Sequence, residues 1–349
     1  MAEPVLSPRA LNRTLLERQL LLERSPLPLT EVVEQMGGIQ TQYAPAGYIG
    51  LWSRMRDFDR PMLTQALVDR TVIQATVMRA TIHMVSAADY WPMTAGIRRI
   101  RREWFEKVSR RDLAGTDMEA VASAVREELA DGPLPMRELT SRSVARGYAP
   151  RTAAWAGMRV DLVRVPPSGT WERRRADVYG LADGWLPPVE VTEDEGMELL
   201  VRRYLGGFGP APLKDIASWM GVYVSQIQHV VDRMDLRPMR DEAGKPIFDL
   251  PDATLPDPET TAPVRLLAVW DAALLVHARR TQILPEELRP QVFNTKTPHS
   301  VNTFLVDGQV AGSWRFETGE VRLSPLRTLN TDERREVEEE AHRLSIFHS

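Results

Sequence analysis

Gln40 and Gln42 stand two residues apart, directly after the pair Gly37-Gly38. A double glycine ends a helix and turns the backbone sharply. The flanking sequence is apolar, so the two amides are expected to face a cleft. An amide both donates and accepts, and a pair of them can hold a water in place without carrying charge. The same amides could instead satisfy backbone groups at a helix–loop junction. A second polar group is Arg79, Thr81 and His83, spaced i, i+2, i+4 along what reads as a strand, which would put all three on one face. Such a face suits a polar network bracing a hairpin, or a phosphate clamp, with His83 a hydrogen-bonded support rather than an acid or a ligand.

Composition removes most other chemistries. The 349 residues include no cysteine, which excludes disulfide scaffolds, thiolate zinc sites, thiol nucleophiles and Fe–S clusters. None of the six histidines (His83, His229, His277, His299, His342, His348) has another at a metal-binding i, i+4 spacing. No Gly-rich phosphate loop and no G-x-S-x-G elbow is present. Neither metal nor cofactor is therefore expected. With 43% hydrophobic and 26% charged residues the chain reads as globular. No apolar run approaches the ~20 residues that cross a bilayer, and the charged, polar N-terminus is unlike a signal peptide. A cytoplasmic protein without a membrane partner is the expectation.

The formal net charge of −4 argues against a nucleic-acid binder, but the distribution of charge argues the other way. Only Lys107, Lys214, Lys245 and Lys296 are lysine among 44 basic residues. Seven basic residues, Arg98, Arg101 and Arg102 among them, fall between Arg98 and Arg111 against two acidic ones. A local basic face of this kind is compatible with DNA.

The elements that would position these residues recur in order. Ser7 caps an amphipathic helix over 8–22, a second helix over 29–36 stops at Gly37-Gly38, and a third covers 44–56. Two β-rich runs follow, 71–78 and 81–85. Three helices and a hairpin are the order of a winged helix. The order returns with helices over 87–108, 118–129, from 135–139 and over 152–160, then strands at 162–165 and 177–179. A third round has helices over 193–205, 212–220 and 225–233 and strands at 237–239 and 246–248. After the Pro/Asp/Thr-rich stretch 249–263, strands are expected at 266–270, 303–306, 309–316 and 320–323. Asp307-Gly308 is a two-residue hairpin signal, and a capped helix covers 331–344. The expected fold class is α+β: three tandem winged helices (1–86, 87–186, 187–258), then a small C-terminal antiparallel β-barrel with a terminal helix (259–349).

Tyr204-Leu205-Gly206-Gly207-Phe208-Gly209-Pro210 is superficially like the helix-hairpin-helix turn of DNA repair enzymes, with Asp232 near the aspartate of that class. Gly207 follows glycine instead of proline, however, and a continuous helix over 225–233 would place Asp232 mid-helix. That likeness is set aside.

A better match runs over nearly the whole length. Its marks are Gly38-Ile39-Gln40-Thr41-Gln42 with Leu51-Trp52-Ser53-Arg54, then Met78-Arg79-Ala80-Thr81-Ile82-His83-Met84-Val85 and Val165-Pro166-Pro167-Ser168-Gly169-Thr170-Trp171. Further marks are Gly209-Pro210-Ala211 with Asp215 and Trp219-Met220-Gly221, and Val306-Asp307-Gly308-Gln309-Val310-Ala311-Gly312-Ser313-Trp314. Five such pieces in order resemble the winged-helix DNA glycosylases of the AlkZ/YcaQ type. The resemblance implies winged helices and a barrel around a DNA-sized channel, and hydrolysis of the N-glycosidic bond of alkylated purines, chiefly N7-alkylguanine, with unhooking of interstrand crosslinks. It places the chain in the Gln-x-Gln branch, associated with toxin self-resistance, with Gln42 holding the water and Gln40 orienting the water or the sugar. Arg79, Thr81 and His83 would support the loop or contact phosphate, and the Asp307-Gly308-Gln309 turn would probe a groove. An open cleft is expected in place of a tight base-flipping pocket. The implied partner is double-stranded DNA with alkylated purines, bound by a monomer. A non-catalytic regulator or damage sensor, or a protein-interaction scaffold, would use the same winged helices.

Overall fold

The computed structural model describes residues 3–274, 278, 280–294 and 299–349. His277 and the side chain of His299 lie outside the described residues.

Helix starts follow their caps. Ser7 Oγ accepts from the Ala10 amide at 3.1 Å, with Pro8 in the first helical position of Pro8–Arg18. Ser86 does the same for the long helix Ala87–Val108, and Thr192 with Glu195 forms a capping box on Glu193–Phe208. Ala87–Val108 and Met118–Leu129 match expectation to the residue. A helix at Arg60–Val68 was not anticipated, although Asp59 caps it and Pro61 lies in its first turn.

The central feature is a six-stranded antiparallel sheet. Its order is Ile39–Gln40, Ile82–Ser86, Val72–Thr76, Leu162–Arg164, Val178–Leu181 and Leu134–Pro135. Gln74 pairs with Arg164 and Ala75 with Val163. One sheet therefore runs through the first two helix–hairpin rounds and holds them in one register. The third hairpin, Arg237–Asp241 with Pro246–Asp249, is extended by the N-terminal strand Val5–Leu6 in parallel.

The long helix and Glu193–Phe208 cross at Gly96 and Gly196. A Cβ on Gly96 would stand 2.5 Å from the Gly196 carbonyl carbon, so the crossing requires glycine. Two buried arginine–aspartate forks tie distant segments: Arg18 to Asp249 at 2.7 and 2.8 Å, and Arg54 to Asp271 at 2.8 and 2.7 Å.

The C-terminal strands depart from the expected barrel. Arg265–Leu267, Thr303–Val306, Gln309–Glu317 and Glu320–Pro325 form an open four-stranded antiparallel sheet, and its two edge strands are not joined among the described residues. Four strands are too few to close around a filled interior, for which about eight are typical. The helix Thr331–His348 packs against this sheet instead, burying Val337, Ala341 and Leu344.

Candidate functional site

Gly37 and Gly38 both adopt positive φ (70° and 83°), and a Cβ on Gly38 would press on Val85 and the Met84 carbonyl. The turn delivers Ile39 opposite Met84 and Gln40 opposite His83. The Thr41 amide then donates to the Ile82 carbonyl at 2.8 Å. On the other side the helix Ala44–Trp52 closes in, and a Cβ on Gly47 would stand 2.9 Å from Thr41 Cγ2. Gln40 is nearly buried, whereas Gln42 is exposed at the end of this loop.

Three side chains form a directed chain. Arg79 Nη2 donates to Gln40 Oε1 at 3.0 Å, and Gln40 Nε2 donates to Gln42 Oε1 at 3.2 Å. A guanidinium only donates, so Arg79 fixes which way the Gln40 amide faces. Gln40 then offers an N–H to Gln42, which must present its carbonyl oxygen. That oxygen keeps a second lone pair, free to accept from a water at the solvent-facing end. The network contains two neutral amides and one cation, and no carboxylate.

Arg79 does not lie on a strand with Thr81 and His83, as the i, i+2, i+4 spacing suggested. It sits in the short 3-10 turn Met78–Ala80, where Arg79 and Ala80 have φ of 52° and 54°. Non-glycine residues hold this conformation only when their surroundings impose it. The imposing contacts come from the third round: Arg79 Nη1 donates to the Trp219 carbonyl at 2.5 Å, and Gly221 (φ 84°) lies so close that a Cβ would be 3.1 Å from Arg79 Cα. Burial lowers the Arg79 guanidinium to about 10, which leaves it charged at neutral pH. Thr81 Oγ1 donates to the Met78 carbonyl at 3.0 Å and closes the turn.

His83 is the second residue of the following strand, Ile82–Ser86, and is buried. Its Nδ1 is 3.0 Å from the Thr81 carbonyl oxygen, an acceptor, so Nδ1 carries the proton and Nε2 is a bare acceptor. Burial, with the Arg79 charge adding to it, pushes its pKa down to about 3. Nε2 has no hydrogen-bond partner among the described residues.

The remaining expected residues lie in other surroundings. Arg98 pairs with Asp161 at 2.8 Å, Arg101 donates to the Thr76 carbonyl at 2.7 Å, and Arg102 donates to the Met158 and Arg159 carbonyls. These three guanidinium groups tie the long helix to the shared sheet and the second round. Asp307 forms ion pairs with Arg13 and Arg9, and the Gly308 carbonyl accepts from Asn12 at 2.8 Å. Gln309 Nε2 reaches the Gln282 carbonyl at 3.4 Å. The hairpin tip is thus seated on the helix Pro8–Arg18.

Sequence reasoning passed over Gln74, whose Nε2 donates to Thr41 Oγ1 at 3.1 Å between the two glutamines. The readable signal was a lone amide in the otherwise apolar run Val72-Ile73-Gln74-Ala75. It also passed over Arg174, whose Nη1 donates to Tyr43 Oη at 3.0 Å, although Arg173-Arg174-Arg175 stands out as a charge run.

Comparison with known proteins identifies the family and the fold. The chain is 23% identical over 355 residues to the interstrand DNA cross-link repair glycosylase of Streptomyces sahachiroi, with 93% of this chain and 92% of that protein covered. The solved structure of Streptomyces sahachiroi DNA glycosylase AlkZ superposes with a TM-score of 0.81 at 19% identity, covering 98% and 97% of the two chains. The family model described as DNA glycosylase AlkZ-like matches residues 33–347. The chain belongs to the AlkZ-like DNA glycosylase family, whose members are hydrolases of N-glycosyl bonds.

Proposed function

We propose that this glycosylase hydrolyses the N-glycosidic bond of alkylated purines, N7-alkylguanine first among them, and unhooks interstrand crosslinks built on that position. The observation that carries the reading is the donor chain from Arg79 through Gln40 to Gln42. The similarity to the cross-link repair glycosylase of Streptomyces sahachiroi supports the crosslink substrate. The three helix–hairpin rounds act as winged helices on duplex DNA, in a monomer working on chromosomal DNA in the cytoplasm, in repair or toxin self-resistance.

The chemistry suits a site without a carboxylate. Alkylation at N7 makes the purine cationic, so the C1′–N9 pair of electrons leaves to neutralise it and no general acid is needed. What remains is to direct a water at the oxocarbenium-like C1′. Gln42 Oε1 accepts one water hydrogen, which turns a water lone pair toward C1′, and Gln40 holds Gln42 in that orientation. The proton released as the O–C1′ bond forms passes to solvent. Arg79 does its work behind Gln40, away from the developing positive charge.

The test is release of free base from a duplex holding one N7-methylguanine, and from a crosslinked duplex, by wild type, Gln40→Ala, Gln42→Ala and the double variant. Release that falls sharply in the variants supports the reading. Binding without release by the wild type sinks it and leaves a non-catalytic DNA-binding role.

A further inference from the structure

The loop at 166–177 is closed by its own hydrogen bonds. Ser168 Oγ donates to the Arg175 carbonyl at 2.8 Å and accepts from the Asp177 and Val178 amides at 2.8 and 3.1 Å. The Gly169 amide donates to the Arg173 carbonyl at 2.8 Å, and Thr170 Oγ1 donates to the Pro167 carbonyl at 2.8 Å. Trp171 anchors the base edge-on to Tyr48, with ring centres 5.7 Å apart. This rigid base holds Arg173, Arg174 and Arg175 out in solvent.

Several exposed arginines elsewhere are paired, Arg99 with Glu193, Arg142 with Glu138 and Arg202 with Glu198, while Arg110, Arg111, Arg137 and Arg334 form no ion pair among the described residues. Among the described residues neither Arg173 nor Arg174 forms such a pair with a carboxylate. Arg175 pairs with Asp177 at 3.2 Å while 89% exposed, a contact worth at most ~1 kcal/mol and readily exchanged. Arg60 joins the patch, with its guanidinium 5.1 Å from the Trp171 ring. Adjacent unneutralised guanidinium groups on an ordered loop match a polyanion with closely spaced charges.

The loop is also geared to the two glutamines. Gly169 (φ 79°) leaves the space into which Gln74 Oε1 fits, 2.1 Å from where a Cβ would stand. Gln74 in turn holds Thr41, one residue before Gln42, and Arg174 holds Tyr43, one residue after it. We infer that Arg173, Arg174 and Arg175 clamp backbone phosphates of the lesion-bearing strand, and that the contacts at Thr41 and Tyr43 set the spacing between that clamp and Gln42. The inference rests on the proposed hydrolysis only for its second half, since phosphate binding needs no catalysis.

The experiment uses the full chain and a short fluorescent undamaged duplex, titrated at several salt concentrations. Compared are wild type, the triple variant Arg173→Gln/Arg174→Gln/Arg175→Gln, and a control, Arg315→Gln/Arg322→Gln, on the C-terminal hairpin. Loss of three phosphate contacts flattens the slope of log K against log salt by about 2.7, so the affinity gap to wild type narrows ~40-fold between about 50 and 200 mM. An unchanged slope, or an equal change in the control, overturns the clamp. In the second arm Gln74→Met cuts the tie to Thr41: the rate of base release is expected to fall with the salt slope intact, and an unchanged rate overturns the spacing role. A wild type that binds but never releases base refutes the proposed hydrolysis and the spacing role, while the slope measurement still decides the clamp.

Discussion

Gln40→Glu is the substitution that most directly tests the directed amide chain, because it preserves shape and reverses polarity. Arg79 Nη2 stands 3.0 Å from Gln40 Oε1, so a glutamate there forms a charge-assisted hydrogen bond, worth about 1.5–3 kcal/mol. The second carboxylate oxygen then faces Gln42 Oε1 across the present 3.2 Å, lone pair against lone pair. Gln42 must rotate its amide by half a turn to donate, which takes its carbonyl oxygen away from the water. Losing the acceptor that holds the water removes about 1.4–2.7 kcal/mol of transition-state stabilisation, a rate loss of roughly 10–100-fold. The new charge also offsets the repulsion that the Arg79 cation exerts on the oxocarbenium, which moves the expected loss toward the lower end of that range. Single-turnover base release, duplex affinity and a thermal melt separate the terms. The expected pattern is a slower chemical step with unchanged affinity and a melting temperature equal to or above wild type. A variant that melts like wild type and releases base at the wild-type rate would refute the reasoning.

Gln42→Asp and Gln42→Ala should diverge: the carboxylate keeps an acceptor and adds a charge that stabilises the cationic sugar, so it should release base faster than the alanine variant in the same assay. His83 has a folded pKa of about 3, below the unfolded ~6.5. The unfolded chain therefore takes up a proton first, and stability falls as pH drops from ~6.5 toward 3, by about 1.4 kcal/mol per unit for this group. Urea melts at several pH values should show that slope reduced in His83→Gln. Gly221→Ala adds strain at φ 84° and a Cβ 3.1 Å from Arg79 Cα. It is expected to cost about 1 kcal/mol or more in the melt and, by shifting Arg79, to slow base release. A destabilised variant with wild-type turnover would show that the third round does not set the position of Arg79.

Much of the scaffold is local information and is therefore legible in the residues themselves. Ser7, Ser86 and Thr192 cap the helices they precede, and Gly37-Gly38 ends a helix and delivers the Gln-x-Gln loop. Each signal acts within one or two turns of chain, where sterics and single hydrogen bonds decide. The assignment of strands failed in the same local terms at Arg79: a stretch with strand composition was bent into a left-handed turn by Trp219 and Gly221, some 140 residues away. No local rule anticipates that, since the strained turn is stable only against its partner. The basic run from Arg98 to Arg102 reads as a DNA face until the fold supplies Asp161 and the backbone carbonyls that engage it. Likewise the Asp307-Gly308 turn is a hairpin by sequence but becomes a seated one only because Asn12 and Arg13 come up beneath it. The sequence by itself determined the caps, the turns and the pair of glutamines. Only the tertiary structure decided which way those amides point, because their orientation is set by a buried cation brought from another strand connection and held by a third helix.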